Sequence, residues 1–206
     1  MVVEYIEDNL EKILKKKGNK MELGEAVNII ADVLRGLQEL RMFGFNHLNL
    51  KPTNILVKKE AGKTVFMSGI QKIKLCDFEM YEEEEGAKSL QFINHLSPDF
   101  LQEKLRPEAA DIWSVGVLLF YLLNGSFPFG NIRGNSDYKK FSPAEVSHQC
   151  ERYSYKKQSK NDDYEDELEN LFSKIFTVEA ETRINPHKLK LILNELFPDT
   201  FSNKEL

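Results

Sequence analysis

The sequence lacks several features that would assign it to a specialised class of protein. Its 206 residues include only two cysteines, Cys76 and Cys150, which are too few for a disulfide framework or a zinc site. No apolar run is long enough to span a membrane, and we find no internal repeat. Because acids such as Glu4 and Glu7 occupy the first residues in place of a cationic stretch, we expect no signal peptide. These absences predict an intracellular protein, cytoplasmic or nuclear, without a membrane partner.

Positive charge is in deficit. The 28 Lys and Arg residues are outnumbered by 33 Asp and Glu residues, which leaves a formal net charge of −5. This balance argues against a dedicated nucleic-acid-binding protein. Hydrophobic residues make up 41% of the chain, which suits a globular protein, and the length is enough for one domain with a core. We therefore expect one domain over residues 1–198, followed by a poorly ordered tail at 199–206.

Much of the chain has the spacing of apolar residues that is typical of helices. Asp8 or Asn9 can cap the first helix, and Gly18 can end it. Gly44 can end the second helix. The predicted helices span residues 10–17, 23–43, 144–152, 167–176 and 186–196, and the predicted strands span residues 2–6, 55–57 and 73–76.

The segment from Asp111 to Asn124 differs from the other helical patterns because it is apolar on nearly every side. A helix of this composition is buried all round. Asp111 can cap its start, and Asn124-Gly125 can end it. The pattern predicts a mainly α-helical (α+β) fold, in which a helical bundle surrounds a buried central helix and a few short β-strands complete the structure.

Polar side chains are concentrated in a loop between the second predicted helix and the strand at 55–57. The loop reads His47-Leu48-Asn49-Leu50-Lys51-Pro52-Thr53-Asn54. Pro52 fixes its own φ angle and pushes Lys51 toward extended backbone, so the loop is stiff. A stiff polar loop between buried elements is a common location for binding or catalysis.

This loop resembles the catalytic loop of protein kinases, H-R-D-L-K-P-x-N, and its Lys-Pro-Thr-Asn form is similar to that of the serine/threonine class. The resemblance implies that His47 is a structural hydrogen-bonding residue and that Asn49 and Lys51 occupy catalytic positions. Leu48 stands in place of the arginine that docks a phosphorylated activation loop, and Asn49 stands in place of the catalytic aspartate. An amide is not a useful base, and loss of a general base typically lowers the rate about 10²–10⁴-fold.

Two further segments resemble kinase motifs that contribute to the active site. Asp77-Phe78-Glu79 is similar to D-F-G, which implies that Asp77 and Asn54 are the magnesium ligands. The run Val2-Val3-Glu4-Tyr5 is similar to the kinase hinge. This likeness implies that Glu4 and Leu56 border the adenine pocket.

Two more segments resemble structural motifs of kinases. Leu96-Ser97-Pro98-Asp99 is similar to A-P-E, whose acid pairs with a buried arginine, and Arg183 matches that arginine. The apolar helix is similar to the D-x-W-S-x-G helix at the centre of the C-terminal lobe. In that family, the acid at the position of Asp111 also accepts backbone N–H groups from the catalytic loop.

The resemblance covers the hinge and the C-terminal lobe, and we expect the N-lobe, with its glycine-rich loop and strand lysine, to be absent. It implies an inactive, pseudokinase-like protein that acts as a regulatory or protein-interaction module, with an active kinase or a kinase substrate as partner. Binding of Mg·ATP is expected to be weak or absent, also because Glu79 replaces the glycine near the phosphates. The alternative is an active serine/threonine kinase whose N-lobe comes from missing upstream sequence or from a partner.

Overall fold

A computed structural model describes residues 4–58, 72–78, 94–101, 106–129 and 164–201. The predicted helix at 144–152, Glu79 and Cys150 lie outside these ranges. Within them the chain is mainly helical with one small antiparallel sheet, which confirms the predicted fold class. The helices are α1 (Leu10–Lys16), α2 (Leu23–Met42), α3 (Pro98–Leu101), α4 (Pro107–Asn124), α5 (Glu165–Ile175), α6 (Pro186–Leu196) and α7 (Pro198–Phe201), and Pro52–Asn54 form a 3₁₀ turn.

The ends of α1 and α2 follow from local side-chain and glycine chemistry. Asn9 caps α1, since its side-chain oxygen accepts a hydrogen bond from the backbone N–H of Lys12 at 3.0 Å. Gly18 follows α1 with a φ of +77°, and Gly44 follows α2 with a φ of +82°. Because these left-handed values favour glycine, both helices end close to the predicted positions.

Helix α4 forms the centre of the core, and every residue from 110 to 120 is buried. It begins at Pro107, whose missing N–H is not needed in the first turn of a helix, and Gly125 ends it with a φ of +68°. Asp111 therefore lies in the second turn of α4, and the prediction that it caps the helix is wrong. Helix α2 packs against α4.

Aromatic side chains connect α4 to the end of α5. Trp113 is 1% exposed, stacks on Phe129 at 5.2 Å between ring centroids, and meets Phe176 edge-on at the same distance. The backbone of α4 comes close to α5 at Gly116, where a Cβ atom would clash with Cγ2 of Ile175. Only glycine fits this approach without a shift of the two helices.

The sheet consists of β1 (Asp8–Asn9), β2 (Ile55–Lys58) and β3 (Lys72–Leu75) in that order. The predicted strands at 55–57 and 73–76 correspond to β2 and β3. The strand predicted at 2–6 is wrong for its described part, because residues 4–7 are irregular and pairing begins where Asp8 lies opposite Val57. The described part of β2 ends at Lys58, and Tyr5 is 86% exposed, so strand propensity alone did not produce a strand at residues 4–7.

The chain is helical at 198–201, where the sequence predicted the beginning of a poorly ordered tail. Helix α7 packs against α2 and α6. Pro198 suits the first position of a helix, and the N–H of Thr200 donates to the carbonyl of Phe197 at 3.0 Å. None of the described helices combines the length and the apolar composition needed to cross a bilayer.

Candidate active-site loop

The backbone of the polar loop is held by α4. The N–H of His47 donates to Oδ2 of Asp111 at 2.8 Å, and the N–H of Leu48 donates to Oδ1 at 2.7 Å. Asp111 is 4% exposed, so both hydrogen bonds form in the interior with a charged acceptor, which strengthens them. Leu48 has a φ of +56°, and this left-handed conformation costs about 1–2 kcal/mol for a residue other than glycine. The two hydrogen bonds to Asp111 hold it there.

His47 is the first residue of the loop and is fully buried. Its Nδ1 atom accepts a hydrogen bond from the N–H of Asn49 at 3.3 Å, and Nε2 has no hydrogen-bond partner among the described residues. Burial lowers the pKa of His47 to about 4, and the charge of Asp77 opposes this shift only weakly. The imidazole is therefore neutral at pH 7, and its contacts are those of a structural residue.

Asn49 joins the polar loop to the turn that follows β3. Its side-chain Nδ2 donates to the backbone carbonyl of Asp77 at 3.0 Å. Its own backbone carbonyl accepts a hydrogen bond from Nδ2 of Asn54 at 2.9 Å, and the carbonyl of Asn54 accepts from the N–H of Cys76 at 3.1 Å. The amide group of Asn49 is thus a donor within a connected network. A carboxylate at this position has no N–H group and could not make the same bond.

Asn54 and Asp77 offer oxygen atoms of the kind that magnesium prefers. Oδ1 of Asn54 accepts one hydrogen bond, from Thr53 Oγ1 at 3.2 Å, so a second lone pair is free for a ligand. Asp77 is exposed and has a φ of +57°, a conformation that aspartate tolerates. No group of three or more His, Cys, Asp or Glu residues in the described ranges could hold a metal ion. Two oxygen donors therefore fit magnesium only when nucleotide phosphates supply further ligands.

Lys51 lies near the segment that precedes α3, where His95 is 2% exposed. Burial and, to a smaller extent, the positive charge of Lys51 lower the pKa of His95 to about 3. Neither ring nitrogen of His95 has a hydrogen-bond partner in the described part of the chain, and the ring meets Phe127 edge-on at 5.4 Å. This neutral, buried imidazole was not singled out by the sequence analysis.

Arg183 and Asp99 meet in the interior, where Nη2 of the arginine donates to Oδ1 of the acid at 2.9 Å. The Arg183 side chain is 0% exposed. Its other N–H groups donate to the backbone carbonyls of Ala109 at 2.8 Å and of Thr177 at 2.9 and 3.2 Å, and its guanidinium lies 5.0 Å from the ring centroid of Trp113. This pair fastens α3 to the start of α4 and to the turn between α5 and α6.

Leu56 lies in β2, and Glu4 is hydrogen-bonded to lysines of the same sheet. Leu56 is directly opposite Lys74, and Lys58 follows two residues later in β2, so the three side chains share one face. Nζ of Lys58 donates to Oε1 of Glu4 at 2.7 Å, and Nζ of Lys74 donates to Oε2. These hydrogen bonds lower the pKa of Glu4 to about 2. The carboxylate of Glu4 is engaged by two lysines on the face that carries Leu56.

Four exposed apolar residues near the loop in sequence or in space were not predicted. Met42, Phe43, Phe45 and Phe78 are 78%, 79%, 45% and 39% exposed, and we call these four residues the phenylalanine patch. The rings of Phe45 and Phe78 lie 6.0 Å apart between centroids. The signal in the sequence was the apolar run around Gly44, which lies beyond the last buried turn of α2.

The polar loop, the neighbouring oxygen donors and the buried acid–arginine pair, arranged around an apolar helix, together define a C-terminal lobe of the protein kinase type. The protein kinase domain family matches residues 1–193 of the chain. The chain belongs to this family.

Several curated kinases are similar to this chain over part of their length. Ribosomal protein S6 kinase alpha-6 of Mus musculus is 34% identical over 127 residues, which are 59% of this chain and 16% of the relative. Mitosis inducer protein kinase cdr1 of Schizosaccharomyces pombe is 31% identical over 146 residues, which are 68% of this chain and 23% of the relative. The matched regions thus cover less than a quarter of the length of either relative.

Proposed function

We propose that this protein kinase family member does not transfer phosphate and acts as a regulatory module that binds another protein inside the cell. The proposed partner is an active kinase or a kinase substrate. The observation that carries the proposal is Asn49, which occupies the position of the catalytic base and uses its side-chain N–H to hold the carbonyl of Asp77.

The chemistry of Asn49 supports the inactive half of the proposal. In a kinase, the residue at this position accepts the proton of the attacking hydroxyl. A neutral carboxamide cannot accept that proton near pH 7, and its oxygen remains only a weak acceptor. Loss of the base alone corresponds to a rate about 10²–10⁴-fold lower.

The surroundings of the loop also support weak or absent binding of Mg·ATP. The carboxylate of Glu4 is paired with Lys58 and Lys74 on the sheet face that carries Leu56. If Mg·ATP bound the folded chain, it would raise the unfolding midpoint, because a ligand specific for the folded state stabilises that state. We expect no rise at sub-millimolar Mg·ATP, and a clear rise would contradict this part of the proposal.

The phenylalanine patch supports the binding half of the proposal. Exposed apolar residues that lie together on a surface are typical of protein interaction sites. Here Phe45, two residues before His47, contacts Phe78, which directly follows Asp77. Phe43 is also exposed and lies two residues before Phe45. A partner that covers this patch would also cover the vestigial catalytic residues.

Phosphoryl transfer is the direct test of inactivity. Purified full-length chain is incubated with Mg²⁺, radiolabelled ATP and serine- and threonine-containing substrates, beside the variant Asn49→Asp and the double variant Asn49→Asp/Glu79→Gly. We expect no labelling by the unaltered chain. Labelling by the unaltered chain at a rate typical of kinases, about 1–100 s⁻¹, would refute the proposal.

Partner binding is tested by affinity capture from the native extract, followed by mass spectrometry. We expect the unaltered chain to recover a kinase or a kinase substrate, and the double variant Phe43→Ser/Phe45→Ser to lose it. Tyr5→Ser is the matched control, because it removes an aromatic ring that is 86% exposed and lies outside the patch. Recovery of neither a kinase nor a kinase substrate by the unaltered chain would count against the proposal.

A second candidate function is an active serine/threonine kinase that obtains its N-lobe from a partner or from further sequence upstream. The retained contact between Asn54 and the Asn49 carbonyl, next to the exposed Asp77, favours this candidate. Supplying an N-lobe in trans separates the two functions. If labelling then appears only with Asn49→Asp, the proposal that the chain is inactive stands. If labelling appears with the unaltered chain, the second candidate function is correct.

A further inference from the structure

A cleft between α5 and α6 lies apart from the polar loop and has no role in the proposed chemistry. Its volume is about 520 Å³, which is within the range of ligand-binding pockets. Apolar side chains of Ile184, Leu191 and Ile192 line it. Leu191 is 47% exposed, whereas Leu189 and Leu193 on the same helix are buried. Helix α6 therefore keeps one apolar side chain at the surface, in the wall of this cleft.

The polar groups of the cleft divide into those already satisfied and those that remain free. The hydroxyl groups of Ser173 and Thr182 donate to backbone carbonyls of their own turns. Lys174, Lys188 and Glu195 also line the cleft, and none of the three makes an ion pair with a residue that the structure describes. Thr177 also lines the cleft, and its buried Oγ1 has no hydrogen-bond partner among the described residues. This hydroxyl and the three charged groups are therefore available to a ligand.

The three charges are arranged at opposite ends of the cleft. The N–H of Ile184 donates to the carbonyl of Lys174 at 3.1 Å, which places Lys174 beside the start of α6. Lys188 lies in the first turn of α6, and Glu195 lies in its last turn. Glu195 follows Lys188 by seven positions along the helix, a rise of about 10 Å. The cleft is thus cationic at one end, apolar in the middle and anionic at the other end.

We propose that this cleft binds an extended protein segment of five residues, with an acidic side chain at the first position, a large apolar side chain at the third and a basic side chain at the fifth, because alternate side chains of an extended segment point to the same face. The first and fifth residues lie about 13 Å apart, and the flexible side chains of Lys188 and Glu195 can reach across the difference from about 10 Å. The acidic side chain pairs with Lys174 and Lys188, the apolar one packs on Leu191, and the basic one pairs with Glu195. The inference rests on the proposed function as a protein-binding module and adds a second contact surface to it.

The test uses three fluorescein-labelled peptides with the central sequences Glu-Ala-Leu-Ala-Lys, Glu-Ala-Leu-Ala-Glu and Glu-Ala-Ser-Ala-Lys, and measures fluorescence anisotropy with the whole 206-residue chain. We expect the affinity for Glu-Ala-Leu-Ala-Lys to be at least about threefold higher than for Glu-Ala-Leu-Ala-Glu, since one attraction replaces one repulsion at Glu195. We expect the affinity for Glu-Ala-Ser-Ala-Lys to be at least about tenfold lower than for Glu-Ala-Leu-Ala-Lys, because it lacks the buried leucine. Equal binding of all three peptides, or no binding, would overturn the proposal.

The variant Glu195→Lys makes the test independent of folding defects, because it predicts a gain of affinity. With a cation at both ends, the cleft should prefer Glu-Ala-Leu-Ala-Glu over Glu-Ala-Leu-Ala-Lys. A lysine in the last turn of α6 is also favourable for the helix dipole, so the variant should fold. Lys190→Glu is the matched control, because Lys190 lies on α6 outside the cleft and its reversal should leave the preference unchanged. An unaltered preference in Glu195→Lys would refute the assigned polarity.

Three further outcomes are informative: two separate this inference from its premise, and one identifies a small-molecule site. If the peptides fail to bind but the chain captures a kinase through the phenylalanine patch, the cleft proposal is wrong and the proposed function stands. If the peptides bind and the unaltered chain transfers phosphate, the cleft stands and the proposed function is wrong. If decanoate, an amphipathic anion without a peptide backbone, binds the cleft and none of the peptides does, a small-molecule site replaces the peptide site.

Discussion

Replacement of Arg183 by methionine should destabilise the fold more than most single substitutions. The Arg183 side chain is 0% exposed and donates to Asp99 and to the carbonyls of Ala109 and Thr177. Methionine fills a similar length but donates no hydrogen bond. Asp99, which is 5% exposed, would then keep its negative charge in the interior without a cation beside it.

The expected loss follows from that uncompensated charge. Removal of one partner of a buried ion pair costs about 3–5 kcal/mol of unfolding free energy, most of it from the charge left behind. For a chain of this length, about 1 kcal/mol lowers the thermal midpoint by about 2–4 °C, so we expect a decrease of about 6–20 °C. Since a domain is typically stable by about 5–15 kcal/mol, the variant should remain folded in large part at low temperature.

The assay is urea unfolding followed by circular dichroism for the unaltered chain, Arg183→Met and Asp99→Asn/Arg183→Met. The double variant removes the buried charge as well as its partner. We expect it to recover about 1–2 kcal/mol relative to Arg183→Met, because the remaining amide is less costly to bury than a carboxylate. A loss below about 1 kcal/mol in Arg183→Met, or a double variant no more stable than the single one, would refute the reasoning.

Three further predictions concern the histidines, the glycines and Asn49. Between pH 7 and pH 5 the two buried histidines, His47 and His95, should together lower the unfolding free energy by about 3–4 kcal/mol, because their folded pKa values lie near 4 and 3 and the unfolded chain takes up the protons first. Gly116→Ala should cost about 1–3 kcal/mol in urea unfolding, since its Cβ would meet Ile175. Asn49→Asp should lower the unfolding free energy by about 1 kcal/mol in a thermal-shift assay, since it loses the bond to the Asp77 carbonyl.

Each of these predictions has a matched control. The variant His95→Phe should remove about half of the loss of stability on acidification, and an unchanged pH dependence would contradict the assignment to buried histidines. Gly24→Ala lies in α2 with no atom within 4 Å of the added Cβ, so it should stabilise by about 0.5–1 kcal/mol, opposite in sign to Gly116→Ala. Asn194→Asp changes an exposed amide in α6 and should shift stability by less than about 0.5 kcal/mol, so an equal effect at both asparagines would contradict the role of Asn49.

The helices were the most predictable part of the fold because their signals are local. Helix α6 has the predicted bounds of 186–196, since Asn185 caps it and Pro186 suits its first position. The all-apolar pattern of the central helix predicted its burial. Its start was misplaced because the apolar pattern begins after the helix does: Pro107 opens α4 four residues before Asp111.

The features that sequence reasoning missed depend on contacts between distant residues. The hydrogen bond from Asn49 to Asp77 joins positions 28 residues apart and requires the left-handed backbone of Asp77. The strand predicted at 2–6 had the right composition, but among the described residues pairing with β2 begins only at Asp8. The cleft at Leu191 arises where α5 and α6 meet, and no single periodic pattern encodes it.

Asp111 has a consequence for how this loop could change over time. Asp111, whose carboxylate accepts hydrogen bonds from the N–H groups of His47 and Leu48, belongs to the buried helix α4. The backbone conformation of the loop therefore depends on the packing of the hydrophobic core. Selection for a folded chain then preserves that shape whether or not any reaction occurs there. An intact loop backbone is accordingly evidence of common descent and not of catalysis. Catalysis depends on the side chain at the position of the base, which is Asn49 in this chain.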